Sequence, residues 1–319
     1  MRKLFLVSMV ILLASSFMVF AAGEAEASSW PTRTVQIVAP YGPGGDTDFN
    51  ARAYSKFLDV ELGKPAIVAN MAGSGGVTGS RHVKDSRPDG YTVLFYHTAM
   101  LVNELAGSSN YSLKDFEYVC TSGEAPGDVI VVRSNMGINT LGELIEYSKK
   151  NPGELTLAAD VGTITHILAL QLADAGAEFN VVSTGGAAER VTALKGGHID
   201  IIMNAYGTVS DYVQTGEFKV LAVTSPKREE GFKTVPTALE QGYNVQVPKY
   251  YFFAMPKGTP KEIVAKFASA IENVSKNPEY AKLIWNSFRQ VPVFKTAEEG
   301  LKDFTEISNF IEKYRVRFQ

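Results

Sequence analysis

With a single cysteine, Cys120, in 319 residues, the chain has no intrachain disulfide framework. The apolar neighbours Tyr118 and Val119 make a buried, unreactive thiol the expected state of that residue. Lys and Arg are scattered and the formal net charge is only -3, so a basic face for nucleic acid or anionic lipid is excluded. Past the N-terminus no stretch reaches the eighteen or so uninterrupted apolar residues of a membrane span, and no internal repeat or low-complexity tract occurs. His82, His97, His166 and His198 share no metal-ligand spacing, which argues against a zinc or iron site. The glycine-rich segments have neither the Gly-Lys-Ser/Thr ending of a P-loop nor the spacing of a dinucleotide fingerprint, so no nucleotide cofactor is expected. Gly73-Ser74-Gly75-Gly76 is not the Gly-x-Ser-x-Gly elbow of a serine hydrolase.

What is present begins with Arg2-Lys3, an apolar run from Leu4 to Phe20, and small residues from Ala21 to Ala27. That order is a secretory signal, residues 1–27; an uncleaved anchor is the competing reading. No cysteine follows it to accept a lipid, so the mature chain is expected outside the cytoplasmic membrane, without stable membrane insertion. The rest, 45% hydrophobic and 20% charged, suffices for two compact domains. Short β-rich runs (34–40, 66–70, 92–96, 129–133, 155–159, 179–182, 199–203, 220–224 and 250–255) alternate with helical patterns, the mark of parallel α/β layers. Thr140 with Glu143, Thr259 with Glu262 and Thr296 with Glu299 have capping-box spacing. Ile263, Phe267, Ile271 and Val274 form one apolar helical face. Phe116–Pro126 and Gly242–Tyr250 are extended, lack helix signals and bracket a middle block, as two crossings between lobes would.

Four strand-to-helix loops carry the chemistry. The first, Pro40-Tyr41-Gly42-Pro43-Gly44-Gly45-Asp46-Thr47-Asp48, ends a strand and opens a helix, so its free amides and positive dipole end suit an anion such as a carboxylate. A tight turn capped by Asp46 or Asp48 fits the same residues equally well. The second, from Asn70 to Gly79, contains Ser74, Gly75 and Gly76; the third runs from Asp160 through Gly162, Thr163 and Thr165 to His166; the fourth holds Thr184, Gly185, Gly186 and Ala187. Each reads either as a turn or as part of one crevice at the carboxyl ends of parallel strands. His97 and Thr98 end a strand and are candidates for the crevice or for a satisfied polar pair. Asn204 is a candidate donor across the cleft, and Tyr206, Tyr250, Tyr251 and Phe252 are apolar walls or, preferably, lobe packing. His166 suits helix packing better than base chemistry, while an exported enzyme using Asp46, Asp48 and His166, or a ligand sensor, is the competing function.

Six segments in order resemble the tripartite tricarboxylate transporter receptors, the TctC or Bug family. They are Pro40–Asp48 with Ala51-Arg52, Gly73–Gly79, Arg87-Pro88-Asp89-Gly90-Tyr91-Thr92, Gly162–His166, Gly196-Gly197-His198-Ile199-Asp200 and Val235-Pro236-Thr237-Ala238-Leu239-Glu240. The resemblance, which runs from about Trp30 to the C-terminus, implies a two-lobed Venus-flytrap fold of periplasmic-binding-protein type II, with two crossing segments. The partition it suggests is 28–123 plus 247–319 for one lobe and 124–246 for the other. It further implies a small organic carboxylate, held by main-chain groups and water rather than by an arginine, and delivery to integral membrane transporter subunits, with no cofactor and no catalysis. By position, Tyr41, Gly44, Gly45, Asp46, Asp48, Ser74, Gly75 and Gly76 would grip from the first lobe. Gly162, Thr163, Thr165 and His166, with Thr184 to Ala187, would close from the second. The fourth loop departs from the family pattern, lacking a lysine before its glycine and a proline after it. A tricarboxylate is disfavoured, because no cation is visible at these loops to balance a third charge.

Overall fold

The computed structural model describes residues 29–318, so the expected signal segment lies outside the described residues. The first sheet is assembled from β1 (Val35–Ala39), β2 (Ala66–Asn70), β3 (Thr92–His97), β4 (Phe116–Ala125) and β10 (Lys249–Pro256). Its order is β2-β1-β3-β10-β4; the first three strands are parallel, and β10 returns from the far end of the chain to lie antiparallel between β3 and β4. The second sheet, from β5 (Val129–Arg133), β6 (Thr156–Ala158), β7 (Asn180–Val182), β8 (Ile201–Asn204) and β9 (Phe218–Val223), repeats that plan as β7-β6-β8-β5-β9, with β5 in the antiparallel place. This is the two-lobed α/β architecture the sequence pattern implies. Parallel strands need crossover helices that cover the sheet, which is why β1, β3 and β8 are almost wholly buried.

The helices that position the loops are α1 (Asp46–Leu62), α2 (Val77–Lys84), α3 (Ala99–Leu105), α4 (Leu141–Lys150), α5 (Ile164–Asp174) and α6 (Ala187–Lys195), followed by α7 (Ser210–Gln214). The C-terminal α8 (Lys261–Ser275), α9 (Pro278–Phe288) and α10 (Ala297–Ile311) complete the first lobe. In α8 the stripe Ile263, Phe267, Ile271 and Val274 is buried, worth about 2 kcal/mol per side chain against exposure. The capping boxes fare unequally. Thr296 and Glu299 form a complete box, whereas Thr140 accepts the Glu143 amide but Glu143 turns to the Asn139 amide. The Thr259 box does not form: α8 starts one residue later than the spacing suggests, and the Thr259 hydroxyl donates to Pro256 O. Cys120 is buried in β4, where desolvation pushes its thiol far above the ordinary value.

β4 stays paired with β10 as far as Ala125 opposite Lys249. Pro126–Asp128 then link the end of β4 to the start of β5. One contiguous apolar cluster runs through both lobes, joining Phe304, Ile311 and Tyr314 to Ile164, Ile167 and Leu168. Beyond it, Arg317 donates to Leu170 O and the Phe318 ring meets His166 edge-on, so the C-terminal turn rests on α5 of the second lobe. Among the described residues no helix is long and apolar enough to cross a membrane.

Candidate functional site

The carboxyl ends of β1 and β2 face those of β6 and β7 across a cavity of about 580 Å³, within the usual range for small-molecule sites. Three helices aim their N-termini into it: α1 at Gly45–Thr47, α5 at Thr163–Thr165 and α6 at Gly186–Glu189. The turn Ser74–Gly76 leads into α2 and supplies a fourth run of backbone. First-turn amides have no intrahelical acceptor, so these ends concentrate N–H donors and positive dipole on one space. The α1 and α6 ends meet nearly head to head, since a Cβ built on Gly45 would lie 3.5 Å from Ala187 Cβ and one on Gly44 3.7 Å from Ala188 Cβ.

Gly75 needs its glycine twice over. Its φ is 63°, and a Cβ there would come within 3.0 Å of Thr163 Cγ2 on the opposite lobe. Its carbonyl accepts from the Tyr41 hydroxyl at 3.0 Å and lies 2.7 Å from the Tyr96 hydroxyl. Asn103, 2% exposed, bridges the lobes: its Nδ2 donates to Gly162 O at 2.7 Å and more weakly to Gly75 O at 3.3 Å. Tyr41 stacks on His97 with centroids 5.4 Å apart, and His97 Nδ1 accepts the Ala99 amide. Burial and the Lys249 charge pull His97 down to about 3, so the ring is neutral with its proton on Nε2. Burial pushes the Tyr41 hydroxyl up to about 12 against the opposing pull of Tyr96, Lys249 and Arg190.

Of the residues singled out from sequence, Tyr41, Gly45, Asp46, Ser74, Gly75, Gly76, His97, Thr163, Thr165, Gly185, Gly186 and Ala187 line this cavity. The remainder are placed elsewhere. Asp48 spends its carboxylate on the Gly44 amide (3.1 Å), Arg52 (2.9 Å) and Asn70 (2.8 Å), and with Gly44 borders a separate outer groove. Thr98 ties β3 to β10, its hydroxyl accepting the Tyr250 amide. Gly162 offers only its carbonyl, to Asn103. His166 is packed under Phe318, with burial and then Arg317 lowering its pKa. The Thr184 hydroxyl is buried without a partner and away from the cavity, and Tyr206 packs edge-on against Phe232. Asn204 does not reach across the cleft: it accepts from Arg190 Nε at 2.7 Å and donates to Ala187 O and Thr208 Oγ1.

The four loops themselves carry no lysine or arginine, but two cations from outside them, Lys249 on β10 and Arg190 in α6, line the cavity. Lys249, 6% exposed, stands between Asp46 (2.6 Å) and Asp128 (3.2 Å), and the Tyr251 hydroxyl donates to Asp46 as well. Burial works against the charge on Lys249, yet Asp128 and Asp46 outweigh it and hold its pKa above the ordinary value. Burial likewise pushes the Asp46 carboxyl up, but Lys249 above all brings it well below the carboxylate range. This triad joins the start of α1 to both crossings. Arg190, one turn into α6, reaches back to the N-terminus as helical side chains do; in the sequence it follows directly on the fourth loop, which ends at Glu189. Thr47 was also passed over, although it sits inside the quoted motif. It lines the cavity at 2% exposure, and among the described residues neither its hydroxyl nor that of Ser74 has a hydrogen-bond partner. No group of three His, Cys, Asp or Glu among the described residues is placed to hold a metal.

The family description "Tripartite tricarboxylate transporter family receptor" (TctC) matches residues 51–306. The chain belongs to that receptor family. Among curated relatives, Protein BugT of Bordetella pertussis is 33% identical over 250 residues, 76% of each chain. Among solved structures, the periplasmic binding protein BugD is 27% identical with a TM-score of 0.81, covering 89% of this chain and 98% of that one. An R. palustris protein solved with adipate has a TM-score of 0.84 at 23% identity, covering 91% and 98%, and MatC from Rhodopseudomonas palustris with bound malate one of 0.77 at 23% identity, with the same coverage. At that identity these last two speak for the fold alone.

Proposed function

We propose that this TctC-family protein is an exported receptor that captures a small organic carboxylate between its lobes and delivers it to the membrane subunits of a tripartite tricarboxylate-type transporter. The observation that carries the reading is the near head-to-head approach of α1 and α6 at the wall of one cavity lined with helix N-termini. Two positive helix ends repel each other, and an anion bound in the cavity beside both turns that repulsion into attraction. The two dicarboxylates named with structural neighbours, adipate and malate, fit that chemistry. Residues 1–27 would direct export to the periplasm, and the lobes would divide near the two crossings. The grip would come from Thr47, Ser74 and Gly75 on one side and from the α5 and α6 ends on the other. Asp46, Asp128, Asp160 and Glu189 line the same space, which disfavours a third negative charge on the guest more strongly than any shortage of cations. Capture proceeds by closure of one lobe onto ligand bound at the other, without turnover.

Gly45→Val tests the reading. Gly45 has φ -88°, which valine adopts, but its Cβ would already lie 3.5 Å from Ala187 Cβ, so the added methyls would wedge the two helix ends apart at the cavity wall. A panel of organic acids should raise the melting temperature of the parent protein and not that of the variant. Retention of the shift by the variant refutes the assignment of this loop, and product formation from any acid refutes a receptor without catalysis.

A further inference from the structure

Arg190 is held like a tool with one edge left open. Its Nε donates to Asn204 Oδ1 at 2.7 Å and its Nη1 to Gly185 O at 2.9 Å, while Asp160 Oδ2 stands 3.5 Å from Nη1. Asn204 is itself fixed by Ala187 O and Thr208, and Asp160 by Ser183 and the Gly185 amide, so the guanidinium plane has little freedom. Among the described residues Nη2 has no partner, although the side chain is only 12% exposed and lines the cavity. Lys249 is the other cation of the lining, and Asp46 and Asp128 already claim it. From across the cleft, Arg190 depresses the Tyr41 hydroxyl against its burial, which places its charge within electrostatic reach of the first lobe.

We infer that the open Nη2 edge of Arg190 is the recognition point for a second anionic group on the guest, so that the site selects dicarboxylates over monocarboxylates. This rests on the receptor reading above and deepens it. The proximal carboxylate takes the α1 end with Thr47 and the Ser74–Gly75 backbone; the distal one takes Nη2 and the α6 amides. A guanidinium already pinned by three neighbours loses little freedom on binding, and its hydrogen bonds to a carboxylate are charge-assisted. A neutral end group would give Nη2 only an uncharged acceptor, a hydrogen bond about half as strong as one to a carboxylate, and that difference is what makes such a site discriminate. Glu189 stands beside the α6 end, its Oε1 3.6 Å from where a Cβ on Gly42 would lie and its Oε2 2.8 Å from one on Gly186, so a third carboxylate meets repulsion there.

The test uses isothermal titration calorimetry on the purified protein with adipate, its half-amide adipamate and hexanoate, and with the corresponding sets for shorter and longer diacids. The parent should prefer the diacid that best spans the cavity over its half-amide by roughly ten- to a hundredfold. Arg190→Met should erase that preference by weakening the diacid far more than the half-amide, with Arg190→Lys in between. Equal binding of diacid and half-amide by the parent overturns the inference, and so does a preference that survives in Arg190→Met. The half-amide comparison needs no mutant, so an Arg190 variant that fails to fold leaves the inference open to refutation. If no acid of any set binds the parent, the receptor reading itself falls and this inference with it.

Discussion

Lys249→Met would remove the one positive charge between Asp46 and Asp128 while keeping the length of the side chain. Asp46 and Asp128 are 7% and 5% exposed, and among the described residues Lys249 is the only side chain bonded to Asp128 through its carboxylate. Breaking a buried pair in this way strands uncompensated charge, costing about 3–5 kcal/mol, which for a chain of this size is a fall in melting temperature on the order of 10 °C. The pH dependence gives a sharper criterion. In the parent, Asp46 is depressed below its ordinary 3.8, so its contribution is complete above that value and is lost as pH falls through the folded-state pKa. Lys249 is raised above 10.5, so its contribution is complete below that value and is lost as pH rises through the higher folded-state pKa. Between these limits the triad's contribution is flat. In the variant, burial acts on Asp46 without the opposing ammonium and raises its pKa. Stability should then decline as pH rises through the range above 4, opposite in sign to the parent's acid limb. Thermal melts from pH 5 to pH 8.5 decide the matter. A variant within about 2 °C of the parent at pH 7, or one with the same deficit at both ends of the range, refutes the account of the triad.

Asn103→Ala removes the Nδ2 bond to Gly162 O that ties the lobes together, so the unliganded protein should open, with a larger radius of gyration by small-angle X-ray scattering and a two- to tenfold weaker ligand. An unchanged radius together with unchanged affinity would show that the bond does not hold the lobes closed. His97, lowered to about 3 by burial and Lys249, should show no imidazole titration by NMR between pH 5 and pH 8. Its neutral folded form also means that stability falls as pH drops from 6.5 toward 3. A titration near 6.5 would place the ring in solvent and remove it from the cavity wall.

The loops that line the cavity were legible because their signals are local. Pro, Gly and a hydroxyl or acid between a β-rich run and a helical run announce a strand-to-helix turn, and the four loops named from that pattern each reach the site. Some residues lie off the cavity because the same letters serve a turn's own bonds. Asp48 and Thr98 have the side chains expected of ligand groups, yet their partners, the Gly44 and Tyr250 amides, are backbone donors of the turn and the neighbouring strand. His166 follows Thr165 at the α5 start, but one residue is about 100° of helix, enough to send it under Phe318 instead of into the cleft.

By itself the sequence determined the alternation of strands and helices, the presence of two crossings, the glycine turns and the family. These depend on periodicity and on backbone conformations that few residues adopt. Only the tertiary structure decided the charge of the site. Lys249 comes to Asp46 because β10 inserts antiparallel between β3 and β4 more than two hundred residues later. Arg190 faces Tyr41 because two sheets close on each other. Electrostatic energy depends on distance in space, and in this chain the distances that matter are set by strand order and lobe closure, which no local run of residues encodes.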